Sequence, residues 1–194
     1  MMDTIAGSAT MSPDGSHLLF GGFTSLTRGD MMRMALDGSR RVSALVQTPF
    51  VENGTEVSPD GRWLVYQSNI SGRQEVYVAP YPDASSARWP VSTGGGRQPL
   101  WSRDGRELFY VAPDGVLMGV QVKTIDSTWA ATSPMKVLEP GYWSRDALIG
   151  RQYDISPDGK RFLVVTPSRV AADPPDLVVE QHWLEALKAS VSSN

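Results

Sequence analysis

Four aspartates, each followed directly by glycine, recur along the chain at nearly regular spacing and are the first residues that could do chemistry. They are Asp14, Asp60, Asp104 and Asp158. Carboxylates from different segments can bind a metal ion when their oxygens converge to within about 2.3–2.6 Å of it. Aspartate and glycine also suit tight turns, because the carboxylate accepts backbone N–H groups and glycine adopts positive φ at little cost. The flanking residues distinguish these two interpretations.

The aspartates belong to a repeated motif, in which a serine opens a turn and an apolar run follows the glycine. Its four copies are SPDGSHLLF from Ser12, SPDGRWLVY from Ser58, SRDGRELFY from Ser102 and SPDGKRFLV from Ser156. Serine, proline and aspartate fit successive positions of a type I turn, and the glycine fits the left-handed position of a three-residue hairpin. Equivalent turns in separate repeats lie too far apart to share one ion. The residues to which we assign this structural turn role are Asp14, Gly15, Asp60, Gly61, Asp104, Gly105, Asp158 and Gly159.

The spacing of the motif predicts the fold. Successive copies start 46, 44 and 54 residues apart, and a period in the forties is typical of a four-stranded propeller blade. Short β-branched and aromatic runs bounded by turn residues fill each repeat, and helical periodicity is confined to EQHWLEALKAS near the end. We predict an all-β propeller region over 1–194 with four four-stranded blades and a short C-terminal helix. The blades are expected at approximately 8–48, 54–93, 97–139 and 151–181, and the helix at 182–190.

The last repeat offers three strands where the others offer four. A closed ring would take the missing strand from the N-terminus, but only eleven residues precede Ser12. The chain is therefore either an arc of a six- to eight-bladed propeller or a small four-bladed ring, and the shortage of residues favours the arc. An arc has an open blade edge, which predicts self-association through that edge.

The motif, followed by a basic residue and then by apolar and aromatic residues, resembles the repeat of TolB-type, WD-repeat-like β-propellers of bacteria. The stretches that carry the resemblance are EVSPDGRWLVYQSNISGRQEVYVAPYP and PLWSRDGRELFYVAPDGVLMGVQV. The resemblance covers nearly the whole chain and implies the propeller fold. It says little about activity, because the same repeat serves many proteins.

The final stretch PDLVVEQHWLEALK is similar to the C-terminal propeller region of bacterial serine/threonine kinases of the eukaryotic type. The chain has no H-R-D, no D-F-G and no glycine-rich phosphate loop, which are the residues that kinase chemistry requires. The resemblance implies the sensor or scaffold portion of a larger bacterial signalling protein, with an extracytoplasmic, periplasmic location. The residues alone leave the compartment undetermined.

Composition narrows the classes of function. Eighteen basic and 21 acidic residues give a net charge of −3, so there is no basic footprint for nucleic acid. The absence of cysteine excludes disulfides, thiol nucleophiles and cysteine metal sites. No apolar window is long enough to span a membrane, and no motif calls for a cofactor.

The strand before each turn motif lies nearest the axis of a propeller and faces the central channel. Glu56 and Asp154 occupy equivalent positions there, each two residues before the serine of its motif. Paired carboxylates near the axis could act as acid and base. Long rim loops supply a second candidate surface with Trp143, Arg145 and Arg151, because interfaces favour Trp and Arg.

Three further patterns have simpler interpretations. Arg28-Gly29-Asp30 is the tripeptide read by integrins, but it falls where the second hairpin turn of its repeat is expected. The three glycines from Gly94 to Gly96 lack the other residues of a phosphate loop, so we interpret them as a flexible link between blades. His17 and His182 lack the serine and carboxylate partners of a catalytic triad.

The expected function is non-enzymatic binding of a protein or small ligand at the rim or in the channel, with no nucleic-acid partner. The alternative is an enzyme. It would be the propeller portion of a prolyl-oligopeptidase-like hydrolase, or a small propeller enzyme that uses the channel carboxylates.

Overall fold

A computed structural model of the chain describes residues 4–24, 27–125, 128–141, 150–165 and 177–181. These ranges contain sixteen strands and no helix. The strands are β1 (Thr4–Met11), β2 (His17–Thr24), β3 (Thr27–Ala35), β4 (Val42–Val46), β5 (Glu52–Val57), β6 (Trp63–Ser68), β7 (Glu75–Pro80), β8 (Trp89–Pro90), β9 (Arg97–Trp101), β10 (Glu107–Val111), β11 (Leu117–Ile125), β12 (Thr128–Ala131), β13 (Met135–Leu138), β14 (Tyr153–Ile155), β15 (Arg161–Val165) and β16 (Leu177–Gln181). The helix predicted over 182–190 lies outside the described residues.

Consecutive strands pair antiparallel into four separate sheets, which are the blades of a propeller. Blade 1 has the order β1-β2-β3-β4 and blade 2 has β5-β6-β7-β8, while blade 3 contains β9 to β13 and blade 4 contains β14 to β16. The all-β propeller prediction is therefore confirmed. The last blade has three strands within the described part of the chain.

The S-x-D-G turns join the first and second strands of each blade by the same set of hydrogen bonds. In blade 2 the Ser58 hydroxyl donates to Asp60 Oδ1 at 2.5 Å, and the Arg62 N–H donates to that oxygen at 3.1 Å. The Trp63 N–H in turn donates to Ser58 Oγ at 2.9 Å, and Gly61 has φ +73°. Each aspartate is thus bound within its own turn and holds the entry to the second strand.

In two of the turns these hydrogen bonds favour the charged form of the aspartate. The Ser12 hydroxyl, with the N–H and hydroxyl of Ser16, lowers the pKa of Asp14 to about 2. The Ser156 hydroxyl and the Lys160 N–H likewise lower the pKa of Asp158. The carboxylates of Asp14 and Asp158 are therefore charged at neutral pH.

Replacing Asp60 with alanine removes two acceptor contacts at an exposed turn. We expect the free energy of unfolding to fall by about 1 kcal/mol, as for other lost side-chain hydrogen bonds, and ligand binding to be unchanged. Asp114→Ala is the matched control. Among the described residues, only the Val116 N–H donates to Asp114, so this substitution should lower the free energy of unfolding by less. Urea unfolding measures both, and a loss of binding at unchanged stability would contradict the structural role.

Three apolar clusters fill the spaces between neighbouring blades. Between blades 1 and 2, Leu19 and Met31 pack with Leu64. Between blades 2 and 3 the buried members are Trp63, Val65, Val76, Val78, Val91, Trp101, Leu108, Tyr110, Val120 and Trp129. Between blades 3 and 4, the rings of Phe109 and Phe162 meet edge to face at 5.0 Å. The blades are stacked face to face, and each sheet contributes apolar residues to the spaces it shares.

The integrin-type tripeptide at 28–30 does not form a turn, and this corrects the prediction. Pairing of β2 with β3 continues from His17↔Ala35 to Thr24↔Thr27, so the tripeptide lies inside β3. Asp30 is fully buried and accepts a hydrogen bond from Gln47 Nε2 at 3.1 Å. Because β3 begins at Thr27, the tripeptide belongs to that strand, and Asp30 pairs with Gly22 of β2.

The strand β12 was not predicted. The long β11 pairs with β13 through its first half and with β12 through its second half. The two strands therefore follow one another along the length of β11.

The open face of blade 1 is apolar. Cross-strand pairing places Met11, Leu18, Met34 and Val42 in one row, and this row is on the side of the sheet opposite Leu19. Met11 is 57% exposed and Val42 41% exposed. On blade 4, Leu163 and Val165 alternate with buried residues and are each 41% exposed. Exposed apolar patches of this kind mark interaction surfaces.

We predict that the chain self-associates through these end faces. Met11→Lys with Val42→Lys should shift the protein toward monomer, because charged residues on an open blade discourage pairing. Light scattering over a concentration series measures the change, and Gln121→Lys, at an exposed residue of blade 3, is the control. A wild-type chain that stays monomeric at every concentration would contradict the prediction.

Candidate axial binding cleft

The first strand of every blade contributes to one cleft of about 420 Å³ at the axis. Thr10 of β1, Thr55 of β5, Gln98 of β9 and Asp154 of β14 all line it. The cleft is within the range of volumes that hold small ligands in proteins. The four blades thus converge on a single concave site.

Two of these inner strands carry a one-residue bulge at the same level. On β5 the pairing shifts between Asn53↔Gln67 and Glu56↔Val65, and on β9 a similar shift occurs between its two ends. Gly54 has φ +65° and Gln98 has φ +54°, and each lies four residues before the serine of its turn. A left-handed glutamine is uncommon, and strain of this kind is characteristic of functional sites.

A belt of polar groups links blades 2, 3 and 4 beneath the cleft. The Gln98 N–H donates to Gln67 Oε1 at 2.7 Å. The Tyr153 hydroxyl donates to the Gln98 carbonyl at 2.7 Å, and the Gln152 N–H donates to Gln98 Oε1 at 3.3 Å. The bulge at Gln98 therefore aims both its backbone and its side chain at neighbouring blades.

The floor of the cleft has hydrogen-bonding capacity that the described residues do not use. Gln67 is 1% exposed, and its Oε1 is fixed by the Gln98 N–H, which leaves Nε2 as the free end of the amide. No acceptor within the described ranges reaches Gln67 Nε2, and none of their polar groups pairs with Thr55 Oγ1. Buried polar groups are nearly always satisfied, so these two groups point to a polar partner from the cleft.

Arg151 joins the same three blades on the other side of the belt. Its Nη1 lies 3.4 Å from Glu56 Oε2 and donates to the Pro99 carbonyl at 3.2 Å, and its Nε donates to the Tyr153 carbonyl at 3.2 Å. Glu56 Oε2 also accepts the Trp101 N–H at 3.1 Å. Arg151 is therefore held in place at the cleft wall.

The two channel carboxylates have different surroundings. Burial raises the pKa of Glu56, the Arg151 charge and the Trp101 N–H oppose that rise, and the charge of Asp154 adds to it. Asp154 lines the cleft and its Oδ1 accepts the Ile155 N–H at 2.8 Å. The pair is close enough for electrostatic interaction, but Glu56 is engaged in contacts between blades.

The raised pKa of Glu56 predicts a pH-dependent contribution to stability. The folded state binds this proton more tightly than the unfolded state, so the contribution is largest below the ordinary pKa of 4.5 and is lost as pH rises through the folded pKa. Urea unfolding at several pH values should show that Glu56→Gln gains stability relative to wild type as pH rises from about 4 to 8. A stability difference between Glu56→Gln and wild type that stays constant with pH, or in which the variant loses stability relative to wild type as pH rises, would contradict the prediction.

The sequence-based candidates thus divide into three groups. Asp154 and Arg151 line the cleft, whereas Glu56 supports its wall from behind. Trp143 and Arg145 lie outside the described residues. Sequence reasoning missed Gln67, Gln98 and Thr55. The glycine at position 54 is a signal for the bulge, and the equivalent position in the next repeat leads to Gln98.

Comparisons with known proteins show which solved structures have a similar fold. No protein-family model matches the chain, and no curated protein matches it. Among solved structures, TolB from Acinetobacter baumannii is similar with a TM-score of 0.66 and 14% identity, over 93% of this chain and 41% of that one. A puromycin-hydrolyzing peptidase from Mycobacterium tuberculosis gives a TM-score of 0.64 and 21% identity, over 89% of this chain and 29% of that one. An oligogalacturonate lyase in complex with manganese gives a TM-score of 0.60 and 18% identity, over 91% of this chain and 48% of that one.

The chain is therefore a TolB-like β-propeller in its fold. It spans less than half the length of each of these three chains, and their roles differ, so the fold alone does not assign an activity. Within the described ranges, no helix is long and apolar enough to cross a membrane, and no three His, Asp or Glu residues cluster as metal ligands would.

Proposed function

We propose that this chain is a non-enzymatic binding module that takes its ligand in the axial cleft. The observation that supports this most directly is that two buried groups at the floor, Gln67 Nε2 and Thr55 Oγ1, have no hydrogen-bond partner among the described residues. A ligand oxygen placed between them would satisfy both. Arg151 at the wall suits an anionic or carbonyl group, and Asp154 suits a hydroxyl or ammonium group. The ligand class is therefore a small hydroxy acid or the end of a peptide.

The module would serve as the sensor or scaffold portion of a larger bacterial signalling protein. The resemblance of the C-terminal stretch to kinase-associated propellers supports this role, and so does the rigid arrangement of the cleft. Arg151 and Gln98 join three blades, so a ligand that contacts them would stabilise the packing of those blades against one another. Such coupling suits the transmission of a binding event.

The alternative function is catalysis by the channel carboxylates. The raised pKa of Glu56 beside Asp154 favours it, because general acids have raised pKa values. Against it, Glu56 Oε2 already accepts the Trp101 N–H and pairs with Arg151. A catalytic acid must reach the substrate, and Glu56 is turned toward the blade interface instead.

Titration with D-galacturonate and with trialanine, followed by NMR of both protein and probe, tests the proposal. We expect at least one probe to bind and to remain chemically unchanged. Arg151→Gln should weaken its affinity by about tenfold, which corresponds to the loss of a charge-assisted hydrogen bond. Arg106→Gln is the control, because Arg106 pairs with Asp104 at an exposed turn. New probe signals that disappear in Asp154→Asn would establish catalysis instead.

A further inference from the structure

A second cleft lies away from the axis, between blades 1 and 2. Its volume is about 510 Å³, and it is bounded by the end of β4, by Tyr66 of β6 and by the loop between β7 and β8. Of the described residues, none lines both this cleft and the axial cleft. The two sites can therefore be tested separately.

The floor and one wall of this cleft are apolar and fixed by the core. Leu45 and Val46 are each 8% exposed and Tyr66 is 2% exposed, and all three belong to the cluster between blades 1 and 2. The Tyr66 ring lies 5.9 Å from that of Tyr77. An aromatic or branched aliphatic group would be in contact with well-packed apolar surface here.

The opposite wall is a short loop that is held by its own hydrogen bonds. The Ser85 hydroxyl donates to Asp83 Oδ1 at 2.6 Å, and the Ser86 hydroxyl donates to the Asp83 carbonyl at 2.8 Å. Asp83 is thus occupied within the loop. Ala84, Ser85 and Ala87 face the cleft from this wall and leave it open because they are small.

Arg88 is the charged side chain among the described residues that line this cleft. Its guanidinium carbon lies 5.3 Å from the centre of the Tyr77 ring, which orients the planar group over an aromatic face. Within the described ranges, no carboxylate lies within 4.0 Å of its nitrogens. The Arg88 charge acts on the buried Glu52, whose carboxylate accepts hydrogen bonds from the Thr48 and Ser68 hydroxyls. The Arg88 side chain also donates to the Tyr66 hydroxyl. Arg88 is therefore oriented by two tyrosines and forms no ion pair within 4.0 Å among the described residues.

We propose that this Arg88 cleft binds an apolar carboxylic acid. The carboxylate would pair with the Arg88 guanidinium, and the apolar body would lie against Leu45, Val46 and Tyr66. A carboxylate matches the planar donor pair of arginine in a bidentate geometry. One cation beside apolar walls suits a singly charged anion better than a multiply charged phosphate. The same chemistry is offered by a free aromatic acid and by the C-terminus of a peptide that ends in an apolar residue.

Calorimetric titration of the full chain with matched probes tests the proposal. The free-acid arm compares phenylacetate with phenylacetamide, which has the same shape without the charge. The peptide arm compares acetyl-Gly-Gly-Phe as the free acid and as the C-terminal amide. We expect the acid of at least one arm to bind about tenfold more tightly than its amide, since a charge-assisted pair replaces a neutral one. The arm that responds identifies the source of the carboxylate.

Three variants make the test specific to this cleft. Arg88→Gln should lose the preference for acid over amide, and Ala87→Trp should block both probes by filling the cleft. Arg62→Gln is the matched control, because Arg62 is also placed over an aromatic ring, at 5.6 Å from Trp63, but outside the cleft. Its affinity should stay within about twofold of wild type. Equal binding of acid and amide, unchanged affinity in Arg88→Gln, or no binding of any probe at about 10 mM would each overturn the proposal.

Discussion

Replacement of Glu75 by alanine should destabilise the propeller by about 3 kcal/mol, as for other broken buried charge networks. Glu75 is 3% exposed and lies at the start of β7. Its carboxylate accepts the Gly95 N–H through both oxygens, at 2.9 and 3.0 Å, and hydrogen bonds from the Ser92 hydroxyl and from Arg73 Nε at 2.9 Å. The alanine variant would leave a buried N–H and a buried hydroxyl without this partner.

The matched control for this prediction is Glu139→Ala. Glu139 forms an ion pair with Lys136, but its side chain is 70% exposed, and exposed pairs of this type contribute about 0.5 kcal/mol or less. Urea unfolding of both variants compares the loss of a buried carboxylate with the loss of an exposed one by their free energies of unfolding. Equal losses of stability in the two variants would show that the Glu75 contacts do not hold the connection between blades 2 and 3.

Gly95→Ala should cost a similar amount, about 3 kcal/mol, because two separate effects add. Gly95 has φ +101°, and a Cβ built there would lie 2.4 Å from Pro113 Cγ. The substitution therefore forces both an unfavourable backbone conformation and a clash with the turn of the next blade. A Cβ built on the neighbouring Gly94 would have no atom within 4 Å, and Gly94 does not have a positive φ.

Gly94→Ala is accordingly a control that differs by one position in the chain. We expect its free energy of unfolding to stay within about 0.5 kcal/mol of wild type, as for most surface substitutions. Thermal and urea unfolding of the two alanine variants give the comparison. If both variants unfold like the wild type, the segment from Gly94 to Gly96 is the flexible link that its composition suggested.

The repeating parts of the fold could be predicted from the sequence because their determinants are local. Each of the four blades contains one copy of the motif, and each of the four turns closes through contacts between residues at most five positions apart, as in Ser58 to Trp63. Local patterns of this kind are repeated in every blade. The fold class followed from that repetition.

The candidate site was predicted only in part, because its determinants are distant in sequence. Gln67 and Gln98 are 31 residues apart, and no periodicity relates a glutamine on a second strand to a bulge in the next blade. Arg151 was placed on a rim loop, and its ion pair with Glu56, 95 residues away, depends on the packing of three blades. The contact of the glycine run was missed for the same reason, since the carboxylate that accepts the Gly95 N–H belongs to Glu75, 20 residues away.

The most direct test of the axial binding site is the side-chain amide signal of Gln67 in a titration followed by ¹⁵N NMR. The signal is assigned by its loss in Gln67→Leu. With D-galacturonate or trialanine, we predict that the Gln67 amide and the Gln98 backbone signal shift together and saturate at one affinity. Saturable binding in which neither signal moves, with changes confined to the outer blade edges, would contradict the assignment of the ligand site to the axis.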